Sequence, residues 1–186
     1  MGKEQVGLLN PVMKIFKRKK YLSVILLYLF IISVMTFSCS PRDKEPVGIF
    51  NTAVDVGDPA LKGMTGYDAE TGEYSLTGAG ENIWSDSDEF HFLSLRVEGD
   101  FIMRARVRFT GEGVNPHRKM GIMLRDSLIG PAAHVSAVVH GDGLSSLQYR
   151  PKEGGETEEV KTTVSGPGII QLERRGDTFI FSCALE

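Results

Sequence analysis

The residues of this chain that could do chemistry are acids, histidines and arginines, and we predict no catalytic residue among them. Glycoside hydrolysis needs two carboxyl groups roughly 5–10 Å apart across the scissile bond. The densest group of acids is Asp86, Asp88 and Glu89, close to Trp84. Serine residues alternate with these acids, which is typical of a polar loop, so we expect a solvated turn. An unrecognised glycoside hydrolase is an open alternative.

The spacing of the other residues gives little support to nucleophilic or metal chemistry. Nucleophilic catalysis needs a Ser or Cys beside a His and an orienting acid, and the motif Gly-x-Ser-x-Gly is absent. The run 140–143, His-Gly-Asp-Gly, favours a hairpin turn. His134 and His140 share a face of one predicted strand but lie roughly 20 Å apart at about 3.3 Å per residue, which is too far to share a metal.

A structural calcium ion could use the loop residues Asp55 and Asp58, because Ca²⁺ prefers oxygen ligands. Loop aspartates also bond the backbone of turns, and we favour that interpretation. We therefore predict no cofactor and no metal site.

Polar side chains on neighbouring predicted strands form the one arrangement that suits a ligand. In the run 101–109 every odd position is apolar, while three arginines share the opposite face. Planar Arg and Gln side chains suit recognition of hydroxyl or carboxylate groups, and Trp84 or Tyr149 could stack on a sugar ring. The alternative is that such residues only solubilise one face of an ordinary antiparallel sheet. The candidate ligand-binding residues are Arg104, Arg106, Arg125, His140, Gln148, Arg150 and Trp84.

Short runs with period-two alternation, separated by glycine-rich turns, predict an all-β fold. Many short strands at this spacing indicate an antiparallel sandwich or barrel. The alternation gives a strand one buried and one wet face, as a sandwich requires. The predicted strands are 74–77, 90–97, 101–109, 119–125, 134–140, 145–150, 169–174 and 178–185.

The first 39 residues have the layout of a bacterial lipoprotein signal. Basic residues at 17–20 precede an uncharged apolar run at 21–37, and Cys39 follows between two serines as the expected lipidation site. We expect Met13 to be the true start, because the signal then has ordinary proportions. The alternative is a helical membrane anchor, since the run of 17 residues reaches the lower limit of the roughly 17–25 that span a bilayer. Residues 40–47 form a polar tether.

Removal of the signal leaves an acidic domain. Residues 1–39 hold six of the 21 Lys and Arg residues and one of the 24 Asp and Glu residues, so 15 basic and 23 acidic residues remain, a net charge of −8. An acidic exported domain is a poor partner for nucleic acid or an anionic surface. Cys183 then has no partner for a disulfide, and its apolar neighbours predict a buried free thiol.

The chain ends on an apolar strand, 178–185, followed by Glu186. An open hydrophobic edge strand invites aggregation. We therefore expect closing strands beyond Glu186 and a β-sandwich domain at 48–186 that is incomplete at its C-terminus.

Several short motifs follow one another in a fixed order along residues 48–186. They are FNTAVDVG at 50–57, YDA at 67–69, LTGAGENIW at 76–84, DEFHF at 88–92, GDF at 99–101, PHRK at 116–119, MLR at 123–125, HGDGL at 140–144, QYR at 148–150 and QLER at 171–174. Together they resemble the concanavalin-like (laminin G/lectin-type) jelly-roll domains of exported Bacteroidetes-type lipoproteins, often fused to Tol-associated propeller domains. The resemblance implies an antiparallel two-sheet jelly roll with a further closing segment, and it implies no particular activity, because the wider fold hosts lectins, glucanases and passive modules.

From these observations we expect a lipid-anchored, non-catalytic module of the cell envelope, on the periplasmic side or at the outer-membrane surface. We expect it to bind carbohydrate or another envelope polymer, to contact the membrane through its lipid, and not to bind nucleic acid. The alternative is a structural or protein-interaction domain that needs a missing C-terminal part.

Overall fold

The computed structural model describes residues 46–111, 113 and 115–185, and this part of the chain contains thirteen β-strands and no helix. The predicted export signal, Cys39 and the expected start at Met13 lie outside the described residues. Within the described part, no helix is long and apolar enough to cross a membrane. The strands are β1 (Thr52–Val56), β2 (Met64–Asp68), β3 (Glu73–Thr77), β4 (Ile83–Trp84), β5 (Ser87–Asp88), β6 (Phe90–Ser94), β7 (Phe101–Arg106), β8 (Lys119–Arg125), β9 (His134–His140), β10 (Ser145–Arg150), β11 (Glu158–Lys161), β12 (Ile169–Arg175) and β13 (Thr178–Ala184).

A four-stranded and a three-stranded antiparallel sheet hold most of these strands. The four-stranded sheet has the order β11-β10-β9-β8, and the three-stranded sheet has the order β13-β12-β7. The first is a meander of consecutive strands, and the run 140–143 turns between β9 and β10 as predicted, with Gly143 N donating to His140 O over 3.0 Å. In this register Arg125 and Arg150 both lie opposite His134, so three polar side chains form one row across the sheet.

The two sheets pack face to face through the apolar side chains at alternate positions. Ile122 and Ala137 of the four-stranded sheet form one buried cluster with Ile170 and Leu172 of the three-stranded sheet. Burying an Ile or Leu side chain contributes roughly 1.5–3 kcal/mol, so this cluster is the main apolar contribution to the contact. The free thiol of Cys183 packs partly buried against the same cluster, close to the prediction.

The predicted alternation along β7 is confirmed, but its predicted end is wrong. Met103 and Ala105 pack against the core, whereas Ile102 is 61% exposed. The strand ends at Arg106 rather than at residue 109, because its partner β12 begins at Ile169, which lies opposite Arg106. Pattern within one strand cannot reveal where the partner strand stops.

Three two-stranded sheets complete the described fold: β1 with β6, β2 with β3, and β4 with β5. The sequence pattern did not predict β1, β2, β4, β5 or β11. Strands β4 and β5 have two residues each, too few for a period-two signal. The described residues thus establish an all-β fold of several antiparallel sheets.

Candidate ligand-binding site

The outer face of the four-stranded sheet, which points away from the core, is both polar and buried. Alternation along β9 and β10 places polar side chains there, opposite the apolar ones that meet the other sheet. We expected this face to be wet, and for these residues that expectation is wrong. The buried polar residues of the two strands on this face are His134, Ser136, His140, Ser146, Gln148 and Arg150.

The short β4–β5 hairpin lies over this face, and side chains from the sheet bind its backbone. Lys119 Nζ at the start of β8 donates to Ile83 O over 2.7 Å. Arg150 Nη2 at the end of β10 donates to Ser85 O over 3.1 Å, and Thr157 Oγ1 donates to the same oxygen over 2.9 Å. The contacts come from β8, from β10 and from Thr157 just before β11, and they hold the hairpin at Ile83 and at its tip residue Ser85.

A buried ion pair joins the hairpin to the sheet. Arg150 Nη2 donates to Asp88 Oδ1 over 2.6 Å, and Nη1 donates to Asp88 Oδ2 over 2.9 Å. Both side chains have no exposed surface. Arg150 Nη1 also donates to Gly130 O and Ala132 O over 3.2 and 3.0 Å. The bidentate geometry with further carbonyl acceptors is what a buried pair needs to offset the loss of hydration.

Arg125 is a second cation at the same carboxylate. Its Nη1 lies 3.3 Å from Asp88 Oδ2, while Nε and Nη2 donate to Ser127 O and Ile129 O over 2.6 and 2.5 Å. Its guanidinium also lies over the ring of Phe90. Arg125 therefore links Asp88 to the loop between β8 and β9.

We predicted a solvated turn at Asp86 and Asp88. The prediction is wrong for Asp88, which is buried, and it agrees with the structure at Asp86, which is exposed. Asp88 is only 1% exposed, because the two arginines arrive from strands that are distant in sequence. A single-sequence pattern carries no signal for such an encounter.

His134 shares this buried site as a neutral imidazole. Its Nε2 lies 3.9 Å from Asp88 Oδ2, and its Nδ1 lies 3.0 Å from Ser136 Oγ. The pKa of His134 is lowered to about 4, mainly by burial; the positive charges of Arg150 and Arg125 add to this effect, and the negative charge of Asp88 opposes it.

A second polar group on the same face centres on Gln148. Its Nε2 donates to Glu159 Oε1 over 2.9 Å and lies 3.2 Å from His140 Nε2, while Ser146 Oγ donates to Glu159 Oε1 over 2.8 Å. Burial raises the pKa of Glu159, but these hydrogen bonds and the charge of Lys161 outweigh it and leave the pKa lowered. Gln148 Oε1 and His140 Nδ1 are buried without a hydrogen-bond partner in the described structure.

A cleft of about 260 Å³ is lined by residues of the hairpin and of the segments that flank it. Trp84 is 37% exposed, and Lys119 Nζ lies 5.3 Å from the centre of its ring. The tip residue Ser85 has φ of 49°, a left-handed conformation that favours glycine. The cleft therefore combines one indole with several hydrogen-bonding groups. Its lining residues are Glu81, Asn82, Trp84, Ser85, Asp86, Ser87 and Glu89.

The structure brings together five of the seven candidate residues. Arg125, His140, Gln148 and Arg150 lie on the outer face of the four-stranded sheet, and Trp84 lies on the hairpin that covers it.

The other two candidates, Arg104 and Arg106, lie on β7 in the three-stranded sheet. There Arg104 Nε and Nη2 donate to Gln171 Oε1 over 2.9 and 2.6 Å. Tyr149 alternates with Gln148 and donates to Glu158 Oε2 over 2.6 Å.

Three residues of this site were missed, namely Lys119, Glu159 and Glu81, and the cleft acids Asp86 and Glu89 were considered only for catalysis. Lys119 shares the alternation of Arg125 along β8, which is a signal that could have placed it on the same face. Glu159 lies on β11, which the sequence did not predict, opposite Gln148.

Asp55, considered for calcium, makes protein contacts instead. Its Oδ1 lies 2.7 Å from His91 Nδ1, and both carboxylate oxygens accept from Gly63 N over 3.1 and 3.2 Å. The hydrogen bond with His91 is the main reason that the pKa of Asp55 is lowered. His91 Nε2 in turn lies 2.7 Å from Thr65 Oγ1. This chain of contacts ties the β2–β3 hairpin to β1 and β6. Among the described residues, no three His, Cys, Asp or Glu side chains are placed to hold a metal ion.

No protein-family model, curated protein or solved structure matches this chain. The resemblance to concanavalin-like domains therefore has no support from these comparisons, and a function has to be argued from the residues and their geometry.

Replacing Asp88 by Asn should destabilise the protein by about 3–5 kcal/mol, because Arg150 and Arg125 would lose their buried counter-charge. Asp86→Asn, at the exposed tip of the same hairpin, is the matched control and should leave stability unchanged. Urea unfolding followed by circular dichroism measures both variants. Equal stability of the two variants would contradict the structural importance of the Asp88 carboxylate.

Stability should fall as the pH drops from about 6.5 towards 4, because unfolded His134 binds a proton that the folded protein excludes. The pKa of His134 is lower in the folded than in the unfolded protein. Its contribution to the free energy of unfolding is therefore complete above pH 6.5 and amounts to at most about 3 kcal/mol. His134→Asn should flatten the dependence between pH 7 and 5, whereas His117→Asn, at an exposed position, should not. An unchanged slope in His134→Asn, measured by urea unfolding at each pH, would count against this assignment.

Proposed function

We propose that this chain is a lipid-anchored, non-catalytic module of the bacterial cell envelope that binds carbohydrate, and that the cleft beside Trp84 is its binding site. The observation that carries the proposal is the partly exposed indole set among hydrogen-bonding side chains. A sugar ring offers C–H groups to an aromatic face and hydroxyl groups to polar side chains, and ligand sites join these two kinds of contact.

The polar residues that line the cleft provide both hydrogen-bond donors and acceptors for the hydroxyl groups of a sugar. Glu81, Asp86 and Glu89 provide acceptors, and Ser85 and Ser87 provide hydroxyls that donate or accept. Asn82 Oδ1 is already engaged by Ile83 N and Lys119 Nζ, both over 2.9 Å, which leaves its amide group for a ligand. The lining is thus rich in groups that complement a polyol.

A binding role fits the buried carboxylate better than catalysis does. General acid catalysis requires a carboxyl group that can hold and release a proton beside the substrate. Asp88 is instead enclosed and bound by two arginines, an arrangement that suits a structural anion. The exposed acids Asp86 and Glu81 have no comparable environment to set one as acid and the other as base.

The proposed scaffold is a concanavalin-like jelly roll, and two antiparallel sheets that share one core are compatible with it. The proposed anchor is a lipid on Cys39, supported by the basic and apolar segments that precede it in sequence. The net charge of −8 that remains after the signal supports a polymer partner other than nucleic acid.

Replacing Trp84 by Ala should weaken glycan binding by at least about tenfold, which corresponds to roughly 1.4 kcal/mol. Tyr149→Ala is the matched control, because this aromatic residue lies on the strand beneath and outside the cleft. The full chain, purified in detergent, would be tested on an array of neutral and acidic glycans and then by calorimetry on those retained. Absence of saturable binding to any glycan would overturn the proposal and favour a protein-interaction module. Hydrolysis of a bound glycan would overturn its non-catalytic part.

Replacing Cys39 by Ala should abolish incorporation of a labelled fatty acid into the protein. The reason is that a lipoprotein carries its lipid on this thiol, whereas the alternative membrane anchor uses the run 21–37 itself and needs no lipid. Membrane-bound protein that carries no label although Cys39 is intact would support the anchor instead.

A further inference from the structure

We propose that Lys119 is the positioning residue of the cleft: while it is charged, its ammonium group holds the indole of Trp84 in the orientation that binds sugar. The inference rests on the proposed function, because it takes the cleft beside Trp84 as the binding site. It adds a form of regulation, since binding then follows the charge of one lysine.

Lys119 contacts three consecutive residues, and two of them, Asn82 and Trp84, line the cleft. Its Nζ donates to Ile83 O over 2.7 Å and to Asn82 Oδ1 over 2.9 Å, and it lies 5.3 Å from the centre of the Trp84 ring. A cation at this distance from an indole face is attracted to it. One ammonium group therefore fixes three consecutive residues of the hairpin, including the aromatic ring.

The support beneath this contact is rigid. Lys119 is the first residue of β8 and lies opposite His140 at the end of β9. Its side chain therefore starts from a hydrogen-bonded strand and crosses to the hairpin above it. A ligand that stacks on Trp84 meets an aromatic ring whose orientation is set before binding, which lowers the entropic cost of binding.

Burial of the ammonium group makes its protonation sensitive to mild alkali. Burial lowers the pKa of Lys119 to about 8, although Glu159 on β11 and Asp88 on β5 favour the charged form. His134 and His140 on β9 share this face. Burial lowers the pKa of both imidazoles, so they contribute no positive charge near neutral pH.

Loss of this charge has opposite effects on stability and on binding. The folded pKa of Lys119 is below its value of 10.5 in the unfolded chain. The contribution of this group to stability therefore rises as the pH increases from about 8 to 10.5. The attraction between ammonium and indole disappears over the same range, so affinity for a sugar should fall. A residue that only stabilised the fold would leave the affinity for a sugar unchanged over this range.

Fluorescence tests the positioning step without any ligand, because Trp84 is the only tryptophan in the chain. The emission of the full-length protein should change with an inflection near pH 8. Lys119→Met should remove the inflection, and Lys119→Arg should keep the emission seen below pH 8 over the whole range. Lys152→Met, at an exposed position that does not line the cleft, is the control and should retain the inflection.

Calorimetry with neutral gluco- and xylo-oligosaccharides at pH 6.5 and 9 tests the effect on binding. We expect affinity to fall roughly three- to tenfold at the higher pH in the unaltered protein, the range of a cation–π contact. Lys119→Met should bind weakly at both values, and Lys119→Arg should bind equally well at both. An unchanged inflection in Lys119→Met, or binding that ignores residue 119, overturns this inference alone. Absence of binding to every glycan on the array overturns the proposed function and this inference with it.

Discussion

The buried ion pair between Asp88 and Arg150 is the interaction on which the rest of this site depends. Neither charge is in contact with water, so each charge is stabilised by the other. The remaining hydrogen bonds of the arginine replace the rest of its lost hydration. Those further bonds reach the tip of the β4–β5 hairpin at Ser85 and the loop carbonyls at Gly130 and Ala132. Removing any of these elements would leave a buried charge incompletely solvated. The pair therefore couples the hairpin, the loop and the sheet into one cooperative unit.

Close approach of the backbone is the second condition for this arrangement. A Cβ atom at Gly130 would come within 2.7 Å of Ser87 Oγ and 3.1 Å of Asp88 O, so any other residue there would require Ser87 and the backbone of β5 to shift. At the hairpin tip, Ser85 holds a left-handed conformation without being glycine. Its carbonyl accepts from Arg150 and Thr157, and these bonds offset the strain.

The sequence predicted the long strands well and the site only in part, because alternation within a strand carries information about that strand alone. Strands such as β8 and β9 carry enough alternating residues to fix both their bounds and their faces. Alternation does not say which sheet a face belongs to, so Arg104 was grouped with Arg125, which lies on the other sheet. It also cannot show what covers a face. The burial of Asp88 depends on an arginine 62 positions away, a separation over which a single sequence gives no signal.

The residues predicted to contact a ligand therefore differ in role according to whether they lie in the sheet or in the hairpin that covers it. Arg125 and Arg150, which the pattern offered as ligand contacts, are directed at backbone carbonyls and at Asp88, so they fix the hairpin in place. The groups available to a ligand belong to the hairpin itself, where Trp84 and the acids beside it are exposed. Lys119 connects the two sets, because it starts in the sheet and ends against the indole. The polar outer face of the four-stranded sheet thus supports the hairpin that carries the proposed binding site.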